Sequence, residues 1–190
     1  MRKVTTQLAA LALLLVSGSA FAWKCDFLTG GGFIFFNGNK ANFGVGGGCK
    51  NGSPTWGHLE YIDHGIGLNV HWTSITAYLE DGTSSSPKGR PVGARLICGT
   101  ATTNLVGNVN FVVRARDAGE PGVNDQFDIR LRQPGTNMIL YDTTTQCGGG
   151  FHFLGSTAPC TPGTNGGGNI QLHKPNPSTS GSFGGSCPAL

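Results

Sequence analysis

Charged residues are scarce in this 190-residue chain, since Asp, Glu, Lys and Arg together supply only 12% of it. Glutamate and lysine, two of the usual formers of helix surfaces, are also few. None of the motifs C-x-x-C, G-x-S-x-G and H-E-x-x-H occurs, so the common zinc-site and hydrolase signatures are missing. The formal net charge of +3 is too small to favour nucleic acid as a partner.

The first 22 residues carry the pattern of a secretory signal peptide. A basic start at Arg2–Lys3 precedes the apolar run Leu8–Val16, and Ala20–Ala22 supplies an A-x-A cleavage site. The run is too short to anchor the chain in a membrane. Cleavage would leave 168 residues, Trp23–Leu190, a length that suits one domain. The sequence therefore predicts export to the periplasm or the extracellular space, without an integral membrane anchor.

The rest of the chain reads as short strands separated by turns. Glycine supplies 32 of the 190 residues without a G-x-y period, which excludes collagen. Apolar and polar residues alternate, as in Leu68–Thr73, and the apolar positions then shift, which predicts a bulge near Thr73-Ser74. Runs rich in Gly, Asn, Pro and Ser separate such segments, and Asn37-Gly38-Asn39 predicts the turn of a first hairpin. We expect about nine strands packed as an antiparallel two-sheet β-sandwich over residues 23–175. A tail rich in Pro, Ser and Gly follows at residues 176–190.

All six cysteines follow the signal peptide, and an even number in an exported chain predicts three disulfides. Cys147 and Cys160 bracket the Gly-rich segment Gly148–Gly155, which has little else to order it, so we expect them to pair. Cys25 and Cys187 lie near the two ends of the mature chain, so a disulfide between them would tie the ends together. That pairing would leave Cys49 with Cys98.

Three motifs carry a family resemblance. They are Gly57–Gly65 (GHLEYIDHG), Asp117–Phe127 (DAGEPGVNDQF) and Gly166–Pro175 (GGGNIQLHKP). Together they resemble the signature of the post-COAP family of small secreted bacterial β-domains. The resemblance spans about Thr29–Pro175 and implies an exported all-β module, with no activity or catalytic residues to transfer. This chain departs from the pattern in its six cysteines and in an insert at about Thr144–Asn165, where any special function is expected to lie.

Acidic residues cluster in the second motif and suggest one candidate site. Asp117, Glu120 and Asp125 lie on a Gly/Pro-rich connection, and Asp63 lies on another turn. Calcium prefers several oxygen ligands from such turns, although the EF-hand spacing is absent. The alternative is that Asp117 and Asp125 accept backbone N–H groups at the two ends of a tight turn.

Arginine and aromatic side chains suggest a second candidate site. Arginines alternate on the outward faces of two successive predicted strands and would suit an anionic polymer or glycan; they are Arg114, Arg116, Arg130 and Arg132. The alternative is a solvated sheet face with Asp128 as the partner. Loop aromatics would extend a binding surface, unless they only pack within their loops; they are Trp56, Phe151 and Phe153.

These features together predict a secreted, non-catalytic binding module that acts in adhesion or in the assembly of a surface structure. Its partner would be an extracellular glycan, a surface protein or further copies of itself, met by a loop end that includes Gly148–Gly155. Two alternatives stay open at this point. One is a calcium-stabilised carbohydrate-binding module. The other is a hydrolase of cell-envelope polymers, which would need a deep cleft where two acids, or an acid and a histidine, converge.

Overall fold

A computed structural model describes residues 25–50, 53–136, 138–164, 166–179 and 181–190. The predicted signal peptide at residues 1–22 lies outside the described residues. Nine strands follow one another along the chain: β1 Phe27–Phe36, β2 Asn39–Lys50, β3 Ser53–Asp63, β4 Leu68–Ser85, β5 Val92–Thr103, β6 Gly107–Asp117, β7 Gln126–Arg132, β8 Ile139–Asp142 and β9 Gly168–His173. The helical elements of the described part are single 3-10 turns.

The strands form one antiparallel sheet in the order β8-β7-β6-β5-β4-β3-β2-β1-β9. The all-β prediction is confirmed, but the structure shows one sheet where the sequence predicts two. Each connection from β1 to β8 joins neighbouring strands, so each strand pairs with its successor. Register shifts such as the one between Trp72 and Ser74, where a bulge is predicted, let long strands bend instead of separating into two sheets.

The first hairpin shows how local sequence fixes the register. Asn37 and Gly38 have φ values of 50° and 78°, the left-handed pair that a two-residue type I′ turn requires. The turn brings Phe36 opposite Asn39, and the ladder continues to Phe27 opposite Gly48. β9 then adds to the other side of β1, with Phe27 opposite His173.

One face of the curved sheet encloses the main core. Phe43 and Phe127 stack there with ring centroids 3.8 Å apart, and Tyr61 packs beside them. The core also takes Leu154 from the insert and Ile170 from β9, both buried. Because strands from both ends of the sheet contribute, burial of apolar area holds the sheet in its curved form.

The C-terminal tail packs against the sheet. Beyond Trp72, β4 continues without β3 beside it, and Gly184 exchanges backbone hydrogen bonds with Tyr78 at that edge. Phe183 stacks on the Tyr78 ring with centroids 5.7 Å apart. On the other face of the sheet, Leu190 packs with Val112. The tail thus covers part of both the edge and the outer face.

Three disulfides tie these parts together. Cys147 pairs with Cys160, the pair that the sequence favours. The other predicted pairs are wrong, because Cys25 pairs with Cys49 and Cys98 pairs with Cys187. Cys25 and Cys49 lie at the far ends of the first hairpin, where the register makes them neighbours. Cys187 instead fastens the tail to the middle of β5.

Candidate functional site

The outer face of β4 to β7 carries two of the predicted arginines in different environments. Arg114 forms an ion pair with Asp81, donates to Gln126 Oε1 at 2.9 Å and lies 3.7 Å from the centroid of the Phe151 ring. To reach Asp81 it crosses the small side chain of Ala94, which lies between Asp81 and Arg116 in the sheet. Arg114 therefore uses the carboxylate that would otherwise neutralise Arg116.

Arg116 lines a polar groove of about 480 Å³ at the end of the sheet where β6 ends. Polar residues make up much of the rest of the groove wall; they are Asp81, Thr83, Ser85, Arg114 and Asp117. Arg116 is half-buried, and its side chain makes no hydrogen bond or ion pair with another described residue. A partly desolvated guanidinium group of this kind offers paired N–H donors to a carboxylate or phosphate.

The other two predicted arginines contact the tail. Arg130 pairs with Asp142 at 2.8 Å and donates to the Ala189 carbonyl at 3.0 Å, and Arg132 donates to the same carbonyl at 2.8 Å. The four arginines share one face, as predicted, but they do not form one cluster. The predicted partner Asp128 lies opposite Arg114 in the ladder of β6 and β7, but it binds His152 instead of an arginine.

The insert packs against the edge of β7. Backbone hydrogen bonds join Phe127 N–H to the His152 carbonyl at 3.1 Å and Leu154 N–H to the Asp125 carbonyl at 3.0 Å. Gly155 N–H then donates to the Phe33 carbonyl at 2.9 Å, so the insert also reaches β1. Phe151 and Phe153 are half-buried, and Phe151 covers Arg114. Of the three predicted binding aromatics, Trp56 is the most exposed, at 39%.

His152 and Asp128 form a buried pair that the sequence analysis missed. His152 Nδ1 lies 2.7 Å from Asp128 Oδ1, and His152 Nε2 lies 3.1 Å from Gln146 Oε1, which also accepts Asn37 N–H. Burial raises the pKa of Asp128, while hydrogen bonds from His152 and Thr143 oppose that rise. With acceptors at both ring nitrogens, the pair is satisfied inside the protein and braces the insert against β7.

The predicted calcium ligands Asp117 and Asp125 accept backbone N–H groups. Asp117 accepts Gly119 N–H at 2.7 Å and Leu172 N–H at 2.8 Å. Asp125 accepts Ala118 N–H at 2.9 Å and Ile170 N–H at 2.8 Å. This is the turn-end role that the sequence offers as the alternative, extended to a second strand. Desolvation raises the pKa of Asp125 to about 6, and repulsion from Asp117 and Glu120 adds to the rise.

The other two predicted calcium ligands have separate partners. Glu120 accepts a hydrogen bond from Asn169 at 3.3 Å. Asp63, the last residue of β3, accepts Gly65 N–H and the hydroxyl group of Tyr141, both at 2.8 Å. In the described ranges, no three His, Cys, Asp or Glu side chains are grouped to hold a metal ion. The structure therefore does not bring the four predicted ligands together.

A second cavity, of about 460 Å³, contains a buried ion pair that the sequence analysis also missed. Arg95 binds both carboxylate oxygens of Asp26, and Tyr78 donates to Asp26 Oδ1 at 2.8 Å. Glu80, the other acid of this cavity, lies 3.5 Å from the same guanidinium group. Arg95 lies two residues before the buried Ile97 in β5, so both side chains are on the inner face of the sheet. An arginine at an inward-facing strand position was the sequence signal for this ion pair. Asp26 and Glu80 thus both pair with Arg95 and do not form the pair of converging acids that a hydrolase would need.

Comparison with known proteins yields no match among family models, curated proteins or solved structures. The resemblance to the post-COAP family therefore stays a prediction. No helix in the described part of the chain is long and apolar enough to cross a membrane. Three disulfides are typical of proteins that fold in an oxidising compartment.

Proposed function

We propose that this protein is a secreted, non-catalytic binding module that captures an anionic group of an extracellular glycan through Arg116. The observation that carries the proposal is the unpaired, half-buried guanidinium group of Arg116 in the groove near Thr83 and Ser85. Arg114 takes Asp81, and Asp117, the other acid in the groove lining, accepts backbone N–H groups. The guanidinium group of Arg116 therefore has no carboxylate bound to it in the described part of the chain. A carboxylate of a uronic acid matches that charge and its planar donors.

The surrounding structure supports a binding role for the groove. The ion pair of Arg114 with Asp81 and the stacking of Phe151 fix one wall. The disulfide between Cys147 and Cys160 closes the insert that supplies Phe151. Such a preformed wall lowers the entropy lost when a ligand binds. The hydroxyl groups of Thr83 and Ser85 supply further polar contacts for sugar hydroxyls.

Isothermal titration of residues 23–190 with oligomers of mannuronate, and with neutral cellulose oligomers of equal length, tests the proposal. We expect binding of the uronate oligomer alone, and a loss of about tenfold or more in the Arg116→Gln variant. Arg90→Gln removes the same charge from an exposed position outside the lining of the groove and should leave the affinity unchanged. Equal affinity of the wild type and Arg116→Gln would refute the assignment.

A further inference from the structure

One end of the sheet gathers four hairpin connections, which we call the hairpin end. In an antiparallel meander, every second connection lies at the same end. These connections are Asn37–Gly38, His64–Gly67, Asn104–Val106 and Gln133–Thr136 with Met138. Arg116 and its groove lie at the opposite end, where β6 runs into β7.

The hairpin end carries most of the exposed large apolar side chains among the described residues. The fraction of surface exposed is 58% for Ile66, 53% for Leu105 and 54% for Met138. Val106 and Ile139 beside them are each 47% exposed. Each of three neighbouring hairpins therefore projects at least one aliphatic side chain into solvent. A concentration of this kind at one end of a small domain is typical of an interaction surface.

Hydrogen bonds hold neighbouring connections in place. Asn104 donates from Nδ2 to the Gly67 carbonyl at 2.8 Å and accepts Asn69 N–H at 2.8 Å, which joins the second and third connections. Tyr141 of β8 donates at 2.8 Å to Asp63, the last residue of β3, so the strands that follow the fourth connection and precede the second are joined. The turns that carry the apolar side chains are thus already ordered, and their backbone loses little conformational entropy on docking.

The hairpin end exposes few formal charges. The described residues of the four connections include no Asp or Glu. Asp63, the nearest acid before His64, is buried and accepts hydrogen bonds from Gly65 and Tyr141. Lys40 is exposed beside the first connection. The described connections therefore carry aliphatic and uncharged polar side chains. The exposed charge beside them is the Lys40 ammonium group, which lies 4.0 Å from the centroid of the Phe33 ring.

We propose that the hairpin end docks peripherally on an anionic phospholipid surface. Aliphatic side chains flanked by Asn, Gln, His and Gly suit the boundary between headgroups and acyl chains, where apolar and polar groups are both solvated. The absence of exposed acids from the described connections matches the negative potential of such a surface. Adjacent hairpin connections are about 10 Å apart, twice the spacing of neighbouring strands. A fluid surface closes around separate projections more readily than a rigid protein partner does.

Vesicle flotation tests the docking proposal. The protein, residues 23–190, is mixed with vesicles of phosphatidylcholine alone or with an equal part of phosphatidylglycerol. We expect flotation with the anionic vesicles, and a loss of affinity of about a hundredfold or more in the triple variant Ile66→Ser, Leu105→Ser, Met138→Ser. Trp56→Ser removes an exposed apolar side chain from the opposite end of β3 and should bind like the wild type.

Two readouts keep the outcome decisive. Hydrogen exchange of the wild type on anionic vesicles should show protection confined to the hairpin end, which needs no variant to fold. Failure of the wild type to float with anionic vesicles, or unchanged flotation of a folded triple variant, would overturn the proposal. So would light scattering that shows a dimer which the triple variant abolishes, because the hairpin end would then bind a second copy of the chain.

Discussion

The Nδ1 atom of His152 lies 2.7 Å from Oδ1 of Asp128, and neither side chain is exposed to solvent. His152 belongs to the insert and Asp128 to β7, so this contact fixes a segment that contributes little regular structure of its own. The insert in turn places Phe151 over Arg114. The buried pair is therefore a structural support for one wall of the Arg116 groove.

Replacement of His152 by Phe should destabilise the protein by about 3–5 kcal/mol. The reason is that the buried carboxylate of Asp128 loses the imidazole group that binds it while it stays out of water. Urea denaturation measures the loss. The double variant Asp128→Asn, His152→Phe removes the charge as well and should recover part of the stability. A single variant that is as stable as the wild type would contradict this account.

The pH dependence of stability should carry the signature of Asp125. Its pKa in the folded protein is about 6, above the ordinary value of 3.8, so the folded state binds the extra proton between these two values. Ionisation of Asp125 as the pH rises from 4 to 7 should lower the free energy of unfolding by roughly 2 kcal/mol. Denaturant titrations at several pH values measure this change. Asp125→Asn should have a flatter profile over that range, and an identical slope would rule out Asp125 as its source.

The carboxylate of Asp117 should control the outer edge of β9. Leu172 N–H donates to Asp117 on the side of β9 that faces away from β1. Asp117→Ala leaves that buried donor without its acceptor and should cost about 1–3 kcal/mol. Amide exchange at Leu172 should become faster, whereas exchange at Thr29, on β1, should change much less. Equal acceleration at both amides would indicate general loosening of the sheet instead.

Loss of the disulfide between Cys98 and Cys187 should release the tail without unfolding the sheet. In the chain-entropy view, a link across 89 residues of separation stabilises the folded state by about 4.5 kcal/mol. The variant Cys98→Ser, Cys187→Ser should therefore melt at a lower temperature. Limited proteolysis should cut its tail first. The matched variant Cys147→Ser, Cys160→Ser removes a disulfide that closes a shorter loop, and its free energy of unfolding should fall by about 3 kcal/mol. A tail that resists proteolysis in the first variant would contradict the expected role.

Local patterns predicted much of the secondary structure. Asn37-Gly38 marks the first turn, and the shift of apolar positions after Trp72 marks the bulge. Extending the register of that first hairpin to its far ends would have placed Cys25 beside Cys49. A pairing of Cys25 with Cys187, based on their positions near the chain ends, conflicts with this register. Proximity of two termini is a weaker guide to pairing than a ladder whose register a turn has fixed.

The interior polar contacts were harder to predict, because they join residues far apart in sequence. Nothing near His152 in the sequence points to Asp128, and nothing near Asp26 points to Arg95. The arginine pattern located the right face but could not show that Arg114 would take Asp81 and leave Arg116 unpaired. The single sheet also escaped prediction, since strand periodicity gives burial and not the order of pairing.

The length of β6 has a consequence for how the molecule would stand if both proposals hold. Gly107 begins this strand beside the hairpin end, and Arg116 lies near its last residue. Nine residue steps of extended chain span about 30 Å along the strand. A protein resting on lipid by its turns would thus hold its sugar-binding cleft well above the headgroup layer, within reach of polymers that a flush-lying domain would leave untouched.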